Sequence, residues 1–476
     1  MTNLDKYKKL ASNTIIFAIG TFSSKAMTFL MLPLITRMLD LKEYNSADLI
    51  QQSVNLILPL VTLAVNSAAL RFALDKAADK KSVFSTGIYT TLGGFVVFLL
   101  FSPLVMQIKI KDFDMGNYIV LIYLFLLVSS IRQLCQQFVR GIGKVRIYAV
   151  DGIIATATTL GFSFLYLYVF HMGVNGYILA IVTSDFLSIC FMFVTARLWR
   201  YLTVRKLDKS LGVQMLRYSV PLVPTVVLWW IMNVSDRYMV TYFDGGEWAG
   251  LYAAASKIPN FVVLFSSIFI DAWQLSAVDE YDNENRGSFF SKVFGVYSGG
   301  IFTVASVLIL ACQIFTVVLV DKSYYESWKF VPILVIATTY SCLVNFLASV
   351  YMAEKKSTMA FATAMIGAVT NVVLNLFLIP KFGPNGAAFA TAASFAIVFV
   401  ARAVNTRKYV KFDIQLWRLL LCTALLILQS FLLIRYANYW VYFVELLLTI
   451  VMALINIKPI IEVVNKLRRR MIRKKK

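Results

Sequence analysis

Apolar runs, each about long enough to cross a lipid bilayer, recur along this 476-residue chain. Hydrophobic residues make up 59% of the sequence and charged residues only 15%, gathered in short patches between the runs. Ordinary soluble domains contain about 45–50% apolar residues, and a spanning helix needs about 20 in succession. Because backbone N–H and C=O groups cannot form hydrogen bonds with water inside the hydrocarbon, such runs fold as helices, which satisfy these groups internally. The sequence therefore predicts an all-α polytopic membrane protein.

The apolar runs divide into fourteen predicted transmembrane helices. They cover roughly residues 11–35, 46–70, 83–106, 118–138, 150–170, 176–196, 219–243, 249–271, 293–319, 330–352, 360–379, 386–404, 417–436 and 438–457. Spans two and eight are the most polar of these. Spans thirteen and fourteen are almost wholly apolar inside, so we expect them to lie at the periphery.

Lysine and arginine residues fall unequally on the two sides of the predicted spans. Most of the 46 lie in one set of alternate segments, which includes Arg197–Arg217 and the tail Lys466–Lys476. The opposite segments carry only Arg37, Lys42, Lys109, Lys111, Lys322, Lys329, Lys381 and Arg435. Because cytoplasmic loops are enriched in such residues, we expect both termini in the cytoplasm. The basic tail then anchors at anionic lipid headgroups and does not indicate nucleic-acid binding.

Short matches recur in order along the two halves of the chain. Gly173-Val-Asn-Gly176 corresponds to Gly383-Pro-Asn-Gly386, and Ser24-Lys25 corresponds to Asp236-Arg237. These matches predict a duplicated six-helix lobe, with a transport site between the two copies. The predicted domains are residues 1–204, residues 205–410, and a segment 411–476 with two extra helices and the basic tail.

Charged side chains inside predicted spans indicate a cationic cavity. Lys25, Arg237 and Lys257 lie in apolar segments, where a charge costs roughly 2.5–3.5 kcal/mol on insertion scales. Such residues usually face a water-filled or protein-lined interior, so we expect these three to bind substrate. The expected substrate site also includes polar residues on the same or neighbouring helix faces, namely Gln52, Asn55, Asn233 and Asn260. Alternatively, Asp236–Arg237 is a structural pair, Lys257 extends to the interface, and the amides join helices.

Acidic residues in the spans are candidates for ion coupling. These are Asp236, Asp185 and Asp271, and nothing in the sequence selects a proton over sodium. Asp185 lies midway along its span with no obvious local partner, and Arg132 is expected to anchor at the cytoplasmic interface. Gly141-Ile-Gly143-Lys144 lacks the remaining residues of a nucleotide-binding loop. With scattered cysteines and no paired catalytic carboxylates on a loop, we expect neither an enzyme, nor a metal site, nor a cofactor.

Three segments carry a family resemblance. Tyr218-Ser-Val-Pro221-Leu-Val-Pro224, Ser235-Asp236-Arg237 and Gly250-Leu-Tyr252-Ala-Ala-Ala-Ser-Lys257-Ile resemble the start of the second half of bacterial polysaccharide flippases. Gly141-Ile-Gly143-Lys144 with Tyr148 is similar to the same polysaccharide-transporter family. The resemblance implies the fold of the multidrug/oligosaccharidyl-lipid/polysaccharide exporter superfamily, with two six-helix lobes around a central cavity and two added helices.

The resemblance also implies a function. The expected substrate is an undecaprenyl-diphosphate-linked oligosaccharide, moved from the inner to the outer leaflet of a bacterial cytoplasmic membrane for O-antigen, capsule or exopolysaccharide synthesis. Expected partners are membrane lipid, a polysaccharide polymerase and other assembly proteins. A lipid II-type flippase is the alternative. A multidrug antiporter is disfavoured, because it exports cations and should prefer an acidic cavity.

Overall fold

The structure is a computed structural model that describes residue 29 and residues 31–75, 77–203, 208–279, 286–354, 356–436 and 438–474. Side chains are described for these residues except at 271–272, 274–279, 357 and 458–474. Lys25 and most of the first predicted span therefore lie outside the described residues. The side chain of Asp271 lies outside them as well.

The first part of the chain is helical apart from one small hairpin. The helices are α1 (Leu41–Val61), α2 (Val65–Leu74), α3 (Lys80–Leu99), α4 (Ser102–Val105), α5 (Ile119–Gly141), α6 (Val145–Ser163) and α7 (Gly173–Ala196), and residues 31–38 are also helical. Two-residue strands β1 (Lys109–Ile110) and β2 (Phe113–Asp114) pair antiparallel. A 3-10 turn at Met115–Tyr118 leads into α5, and a π-helical turn at Phe164–Val169 extends α6.

The remaining described chain is helical as well. Its helices are α8 (Lys209–Ser219), α9 (Val223–Asp244), α10 (Gly246–Ala255), α11 (Asn260–Asp279), α12 (Arg286–Leu310), α13 (Cys312–Leu319), α14 (Val331–Ala353), α15 (Ser357–Phe382), α16 (Pro384–Thr406), α17 (Leu416–Tyr436) and α18 (Tyr439–Lys474). Three 3-10 segments complete it, at Leu198–Tyr201, Val220–Leu222 and Lys322–Lys329.

Local sequence explains where several helices begin. Asp40 and Glu43 form a capping box at α1, in which each side chain accepts a hydrogen bond from the other residue's backbone N–H. Asp79 caps α3, and Asp208 caps α8. A proline in the first turn of α9 supplies a backbone angle suited to a helix start.

The described residues contain 12 helices long and apolar enough to cross a membrane, and 13 if the bent pair α1 and α2 counts as one span. These thirteen overlap the predicted spans from the second to the fourteenth. Many of their apolar side chains are exposed, as expected where lipid replaces water. The all-α polytopic class is confirmed, and the count of fourteen is approximate because the first predicted span falls mainly outside the described residues.

The chain forms two compact units. The first comprises the described residues up to Trp230 together with Val240–Ala253 and Leu319–Ser323. In its core, Phe84 of α3 packs on Phe138 of α5 with ring centroids 4.7 Å apart. The domain division inferred from the sequence repeat, at 204/205 and 410/411, stays a prediction.

The second unit comprises Ile231–Met239, Ala254–Val318 and the described residues from Tyr324 onward. Its core is aromatic, with the Trp273 ring stacked on Phe346 at a centroid distance of 4.8 Å. The Trp273 indole N–H donates to Ser349 Oγ at 2.8 Å, which pairs the one polar atom of this buried ring.

Two predicted spans are interrupted within the apolar region. In the first unit, α1 and α2 meet at an angle of 58°, and Leu63 and Ala64 between them have positive φ. Elsewhere, α10 and α11 are separated by a turn at residues 256–259 that contains Lys257. Non-helical backbone at membrane depth is tolerated where it is buried in protein or lines a cavity. These breaks therefore mark candidate positions for a transport pathway.

The repeated Gly-x-Asn-Gly motif has the same local geometry in both copies. Gly173 and Gly383 have φ values of +55° and +57°, in the left-handed region that favours glycine. A Cβ at Gly176 or Gly386 would press on a backbone carbonyl of the preceding helical segment, at Tyr166 and Leu378 respectively. Both motifs therefore allow a helix start to approach the preceding segment closely.

Candidate functional site

Arg237 lies in the middle of α9 and is only 8% exposed. Its guanidinium Nη2 donates to Ser256 Oγ at 2.8 Å. Ser256 is the first residue of the turn between α10 and α11, and Lys257 follows it directly. The structure therefore brings Arg237 to the helix break that carries Lys257, which is half-buried. Two of the three cations expected to bind substrate thus belong to one region of the second unit.

Asp236 is buried beside Arg237 in a polar network that extends to α15 and α16. Its Oδ1 accepts from the Arg237 backbone N–H at 2.9 Å, and its Oδ2 accepts from the Thr391 hydroxyl at 3.1 Å. The Asn371 amide donates to Thr391 Oγ1 at 3.2 Å and accepts from Asn375 at 3.0 Å. Ser235 Oγ also donates to the Asn371 oxygen, at 3.2 Å. The Asp236 carboxyl thus accepts from a backbone N–H and a hydroxyl, and it joins a buried network of hydroxyl and amide groups.

Sequence reasoning identified Asp236 but missed Asn371, Asn375 and Thr391. All three are fully or almost fully buried. Single amides and hydroxyls in spanning helices usually only join neighbouring helices, so their residue types did not distinguish them. The sequence did contain one signal for this network, because Asn371 and Asn375 lie one helical turn apart on α15 and so share a helix face.

Gln52 and Asn55 lie on one face of α1, as their spacing predicts. The Asn55 amide donates to Gln52 Oε1 at 3.3 Å, and the Gln52 amide reaches Asp48 Oδ1 at 3.5 Å. The Trp230 indole N–H donates to the Gln52 backbone carbonyl at 3.0 Å. Asn55 is exposed and Gln52 half-buried, so this polar ladder in the first unit remains accessible.

Asn233 is exposed on α9, one turn before Arg237, and Asn260 is the half-buried first residue of α11. Both occupy the helices on which their spans were predicted. Lys25 lies outside the described residues. Asp271 belongs to α11, but its side chain is not among those described. The structure therefore gives the positions of Gln52, Asn55, Asn233 and Asn260, and the substrate-binding role of these residues stays a prediction, as it does for Lys25.

Asp185 has two close partners in the first unit, so the expectation that it has no local partner was wrong. Arg132 Nη1 donates to Asp185 Oδ1 at 2.7 Å, and the Ser129 hydroxyl donates to Asp185 Oδ2. Arg132 Nη2 also lies 3.5 Å from Asp151 Oδ2. Arg132 was expected to anchor at the interface, but the structure places its guanidinium between two carboxylates from α6 and α7. Partners on separate helices are invisible to reasoning from one span at a time.

Across the residues that the structure describes, no three His, Cys, Asp or Glu side chains are grouped to hold a metal ion.

Comparison with known proteins identifies the fold. A sequence profile described as polysaccharide biosynthesis protein matches residues 10–273. An uncharacterised membrane protein of Methanocaldococcus jannaschii is 22% identical over 202 residues, covering 42% of this chain and 47% of that protein. The chain therefore matches about half the length of this curated relative.

Solved transporter structures share the architecture over most of the chain. The lipid II flippase MurJ, in an inward closed conformation, aligns with a TM-score of 0.69 at 16% identity, covering 93% of this chain and 98% of MurJ. The MATE transporter VcmN of Vibrio cholerae aligns with a TM-score of 0.58 at 14% identity, covering 84% and 96%. An outward-facing multidrug resistance MATE family transporter of the MOP superfamily gives 0.58 at 13% identity, covering 83% and 93%.

At these identities the solved structures show the fold alone. The fold and the profile match together support a transporter or flippase role. Because the matched profile covers more than half of the chain, this multi-pass membrane protein belongs to the polysaccharide biosynthesis protein family.

Proposed function

We propose that this protein flips undecaprenyl-diphosphate-linked oligosaccharide repeat units from the inner to the outer leaflet of a bacterial cytoplasmic membrane. The observation that carries the proposal is Arg237, a buried arginine within an apolar span, placed at the helix break that contains Lys257. A charge at this depth is costly and usually marks a pathway. Membership of a polysaccharide biosynthesis family supports this substrate class.

The chemistry of a lipid diphosphate matches these side chains. A diphosphate carries about two negative charges in water and cannot enter hydrocarbon without replacing its hydration. The planar guanidinium of Arg237 binds phosphate oxygens in pairs, and Lys257 adds a mobile point charge. Lys25 is proposed as the third cation. The polyprenyl chain remains in lipid while Gln52, Asn55, Asn233 and Asn260 bind sugar hydroxyls.

Transport then proceeds by alternating access of the site to the two sides of the membrane. Asp236 is the proposed coupling residue of the second unit, because its carboxyl is buried among Thr391, Asn371 and Arg237. A proton or sodium ion entering this network would change its net charge by one. Asp271 is a further proposed coupling residue. No cofactor is needed, since an ion gradient supplies the free energy.

A lipid II-type peptidoglycan precursor is the second candidate substrate. The fold likeness to MurJ, with a TM-score of 0.69, favours it. Both substrates would present the same diphosphate to Arg237 and differ in their sugars, so Arg237 and Lys257 would bind either substrate. Export of cationic drugs fits the Arg237–Lys257 region less well, because like charges repel the substrate.

Replacement of Arg237 tests whether this side chain binds the diphosphate. Arg237→Ala should abolish transport while leaving the amount of membrane-inserted protein unchanged, and Arg237→Lys should retain part of the activity because it keeps the charge without the planar fork. Arg435→Ala, at an exposed helix end, is the matched control. Surface polysaccharide and inner-leaflet lipid-linked repeat units are measured in a strain lacking the native protein. Normal transport by Arg237→Ala would show that the Asp236–Arg237 pair is structural.

Deletion of the protein distinguishes the substrates. The proposal expects loss of surface polysaccharide with accumulation of lipid-linked repeat units on the inner leaflet. Depletion of externally accessible lipid II would identify the peptidoglycan precursor instead. Unchanged surface glycan with raised sensitivity to cationic dyes would indicate drug export.

The proposed orientation has a separate test. Single cysteines introduced into the segment Arg197–Arg217 should resist impermeant reagents in intact cells, whereas those at Asp244–Glu247 should react. Labelling of the first segment from outside would reverse the orientation and the direction of transport.

A further inference from the structure

Three helices of the first unit bring two carboxylates and one guanidinium together. Arg132 comes from α5, Asp151 from α6 and Asp185 from α7, and we refer to these residues as the Arg132 triad. Arg132 lies 2.7 Å from Asp185 and 3.5 Å from Asp151, measured between side-chain nitrogen and oxygen. Each helix belongs to an apolar span, and the carboxyl side chains are 0% and 7% exposed for Asp151 and Asp185. The triad is therefore a charged site inside the membrane region.

The two carboxylates differ in how their oxygens are used. Both oxygens of Asp185 accept hydrogen bonds, one from Arg132 and one from the Ser129 hydroxyl. Asp151 Oδ2 accepts from the Gln136 amide at 2.7 Å and faces the more distant guanidinium nitrogen. Among the residues that the structure describes, Asp151 Oδ1 has no hydrogen-bond partner and is buried, as is Arg132 Nε of the same triad. A buried polar atom of this kind indicates a missing ligand, because leaving it unsatisfied is costly.

The charges of the triad point to the nature of that ligand. If both carboxylates were ionised, the triad would carry two negative charges against one positive. The helices α5 and α7 pack against α6, and the titratable groups they turn toward Asp151 are Arg132, the buried Cys135 thiol and Asp185. None of these supplies the second positive charge. Two like charges sharing one site are strongly disfavoured, which leaves room for one monovalent cation.

We propose that the Arg132 triad holds one exchangeable proton, with Asp151 Oδ1 as the position that takes it. The step is the reversible addition of one aqueous proton to the carboxylate, which brings the triad to zero net charge. A proton turns the buried carboxylate into a neutral carboxyl, which costs far less to bury than a charge, whereas hard metal cations bind several oxygen ligands at once. This assignment moves the ion-coupling role expected for Asp185 to Asp151, because Asp185 already neutralises Arg132.

The proton also controls how three helices are joined. While Asp151 is protonated, Arg132 is held by Asp185, so α5 is fixed to α7. Loss of the proton makes the two carboxylates equivalent in charge, and the guanidinium is then drawn toward Asp151 on α6. Since the two carboxylates interact, the proton belongs to the pair and not to either one alone. This consequence rests on the proposed transport function, whereas the presence of the proton does not.

Infrared spectroscopy of the full-length protein in lipid nanodiscs tests for the proton without any substrate. A protonated carboxyl gives a C=O stretching band separate from the carboxylate bands. At neutral pH, Asp151→Asn should lose the intensity of one protonated carboxyl relative to the unsubstituted protein. Arg132→Gln should gain such intensity, because a second carboxyl protonates when the guanidinium beside it is removed. Asp75→Asn, at an exposed position, is the matched control and should leave the band unchanged.

A second variant keeps the test decisive if Asp151→Asn does not accumulate. Gln136→Leu removes the amide that donates to Asp151 Oδ2, so it should shift the protonated-carboxyl band if Asp151 carries the proton. An unchanged band in Asp151→Asn would overturn the proposal, and so would an unchanged band in Gln136→Leu where Asp151→Asn does not accumulate. A second outcome would also overturn the proposal: sodium chloride, but not potassium chloride, stabilises the protein against heat, and Asp151→Asn loses this stabilisation. That result would show that the triad binds a sodium ion instead of a proton. Failure of the Arg237 experiment would leave these spectra unaffected.

Discussion

The two buried charged clusters of this protein are built in opposite ways. In the Arg132 triad, one guanidinium meets carboxylates from two other helices. In the second unit, Asp236 and Arg237 are neighbours on α9, and hydroxyl and amide groups of other helices complete the network. The first cluster has one negative charge in excess when fully ionised. The second has equal numbers of each sign, and the adjoining Lys257 makes that region positive.

This difference in charge indicates a difference in ligand. A site with excess negative charge is suited to a cation, and one with excess positive charge is suited to an anion. This difference supports the proposed proton site in the first unit and the proposed diphosphate site in the second. Different consequences of substitution follow, because removing Arg132 leaves two buried carboxyl groups without a cation, whereas removing Arg237 leaves one.

The largest expected effect on stability is that of Arg132→Gln. Breaking a buried ion pair by removing one partner costs about 3–5 kcal/mol, because the remaining charge is left uncompensated. We expect a clear fall in the melting temperature of the purified protein. Adding Asp185→Asn to this variant should restore much of the stability, since it removes the carboxyl that Arg132 neutralises in the unsubstituted protein. Equal melting temperatures for Arg132→Gln and the unsubstituted protein would show that the triad does not join the helices.

Thr391→Val should have a smaller effect, in the second unit. It removes the hydroxyl that donates to Asp236 and accepts from Asn371, so two buried groups each lose a partner. Leaving a buried polar group unsatisfied costs about 1–3 kcal/mol. Thr303→Val is the matched control, because the Thr303 hydroxyl bonds the carbonyl of Gly299 on its own helix. If thermal unfolding shows the same loss for both variants, Thr391 has no special role at Asp236.

The sequence was sufficient to predict one of these clusters in part and not the other. Asp236 and Arg237 are adjacent in the chain, so one apolar span containing both charges was enough to identify them. The members of the Arg132 triad lie on three helices, and only tertiary packing brings them together. Asp151 went unnoticed, because it lies at the start of its predicted span, where a charge is common.

The fold was more predictable than the sites for a physical reason. Lipid imposes helical structure on every apolar run, so thirteen spans in the described residues match their predicted positions. The 58° bend between α1 and α2 depends on Leu63 and Ala64 adopting positive φ. Nothing in the identity of leucine or alanine favours that conformation, so tertiary packing must impose it.

Ser256→Ala should perturb the second cluster only slightly. It removes one acceptor of the Arg237 guanidinium, and a typical hydrogen bond contributes about 1 kcal/mol net. Ser256 is half-buried, so water is expected to replace part of the interaction. Transport should fall more than stability does, because the position of the guanidinium changes while the helices stay packed. A loss of stability as large as that of Arg132→Gln would mean that both clusters are structural.

The smallest effect is expected at Asp79, a solvated carboxylate that provides a reference for the buried ones. It caps α3 and accepts hydrogen bonds from the Ser82 hydroxyl at 2.8 Å and from the backbone N–H groups of Ser82 and Lys81. The Ser82 hydroxyl is the main group that lowers the pKa of the Asp79 carboxyl below its ordinary value, and the backbone donors add to this. Asp79→Ala should cost about 1 kcal/mol of stability at neutral pH.

The pH dependence of the Asp79 contribution has a definite sign. A carboxyl whose pKa is lower in the folded state stabilises the protein above its unfolded pKa, and this contribution is lost as the pH falls through the folded pKa. The difference in stability between Asp79→Ala and the unsubstituted protein should therefore narrow in acid, below the ordinary range of aspartate. Denaturant unfolding at neutral and acidic pH measures it, with Asp79→Asn retaining the cap without the charge. If the stability difference between Asp79→Ala and the unsubstituted protein stays constant into acid, the cap works without its charge. Asp79 could then not be compared with the charged carboxyl groups of the Arg132 triad.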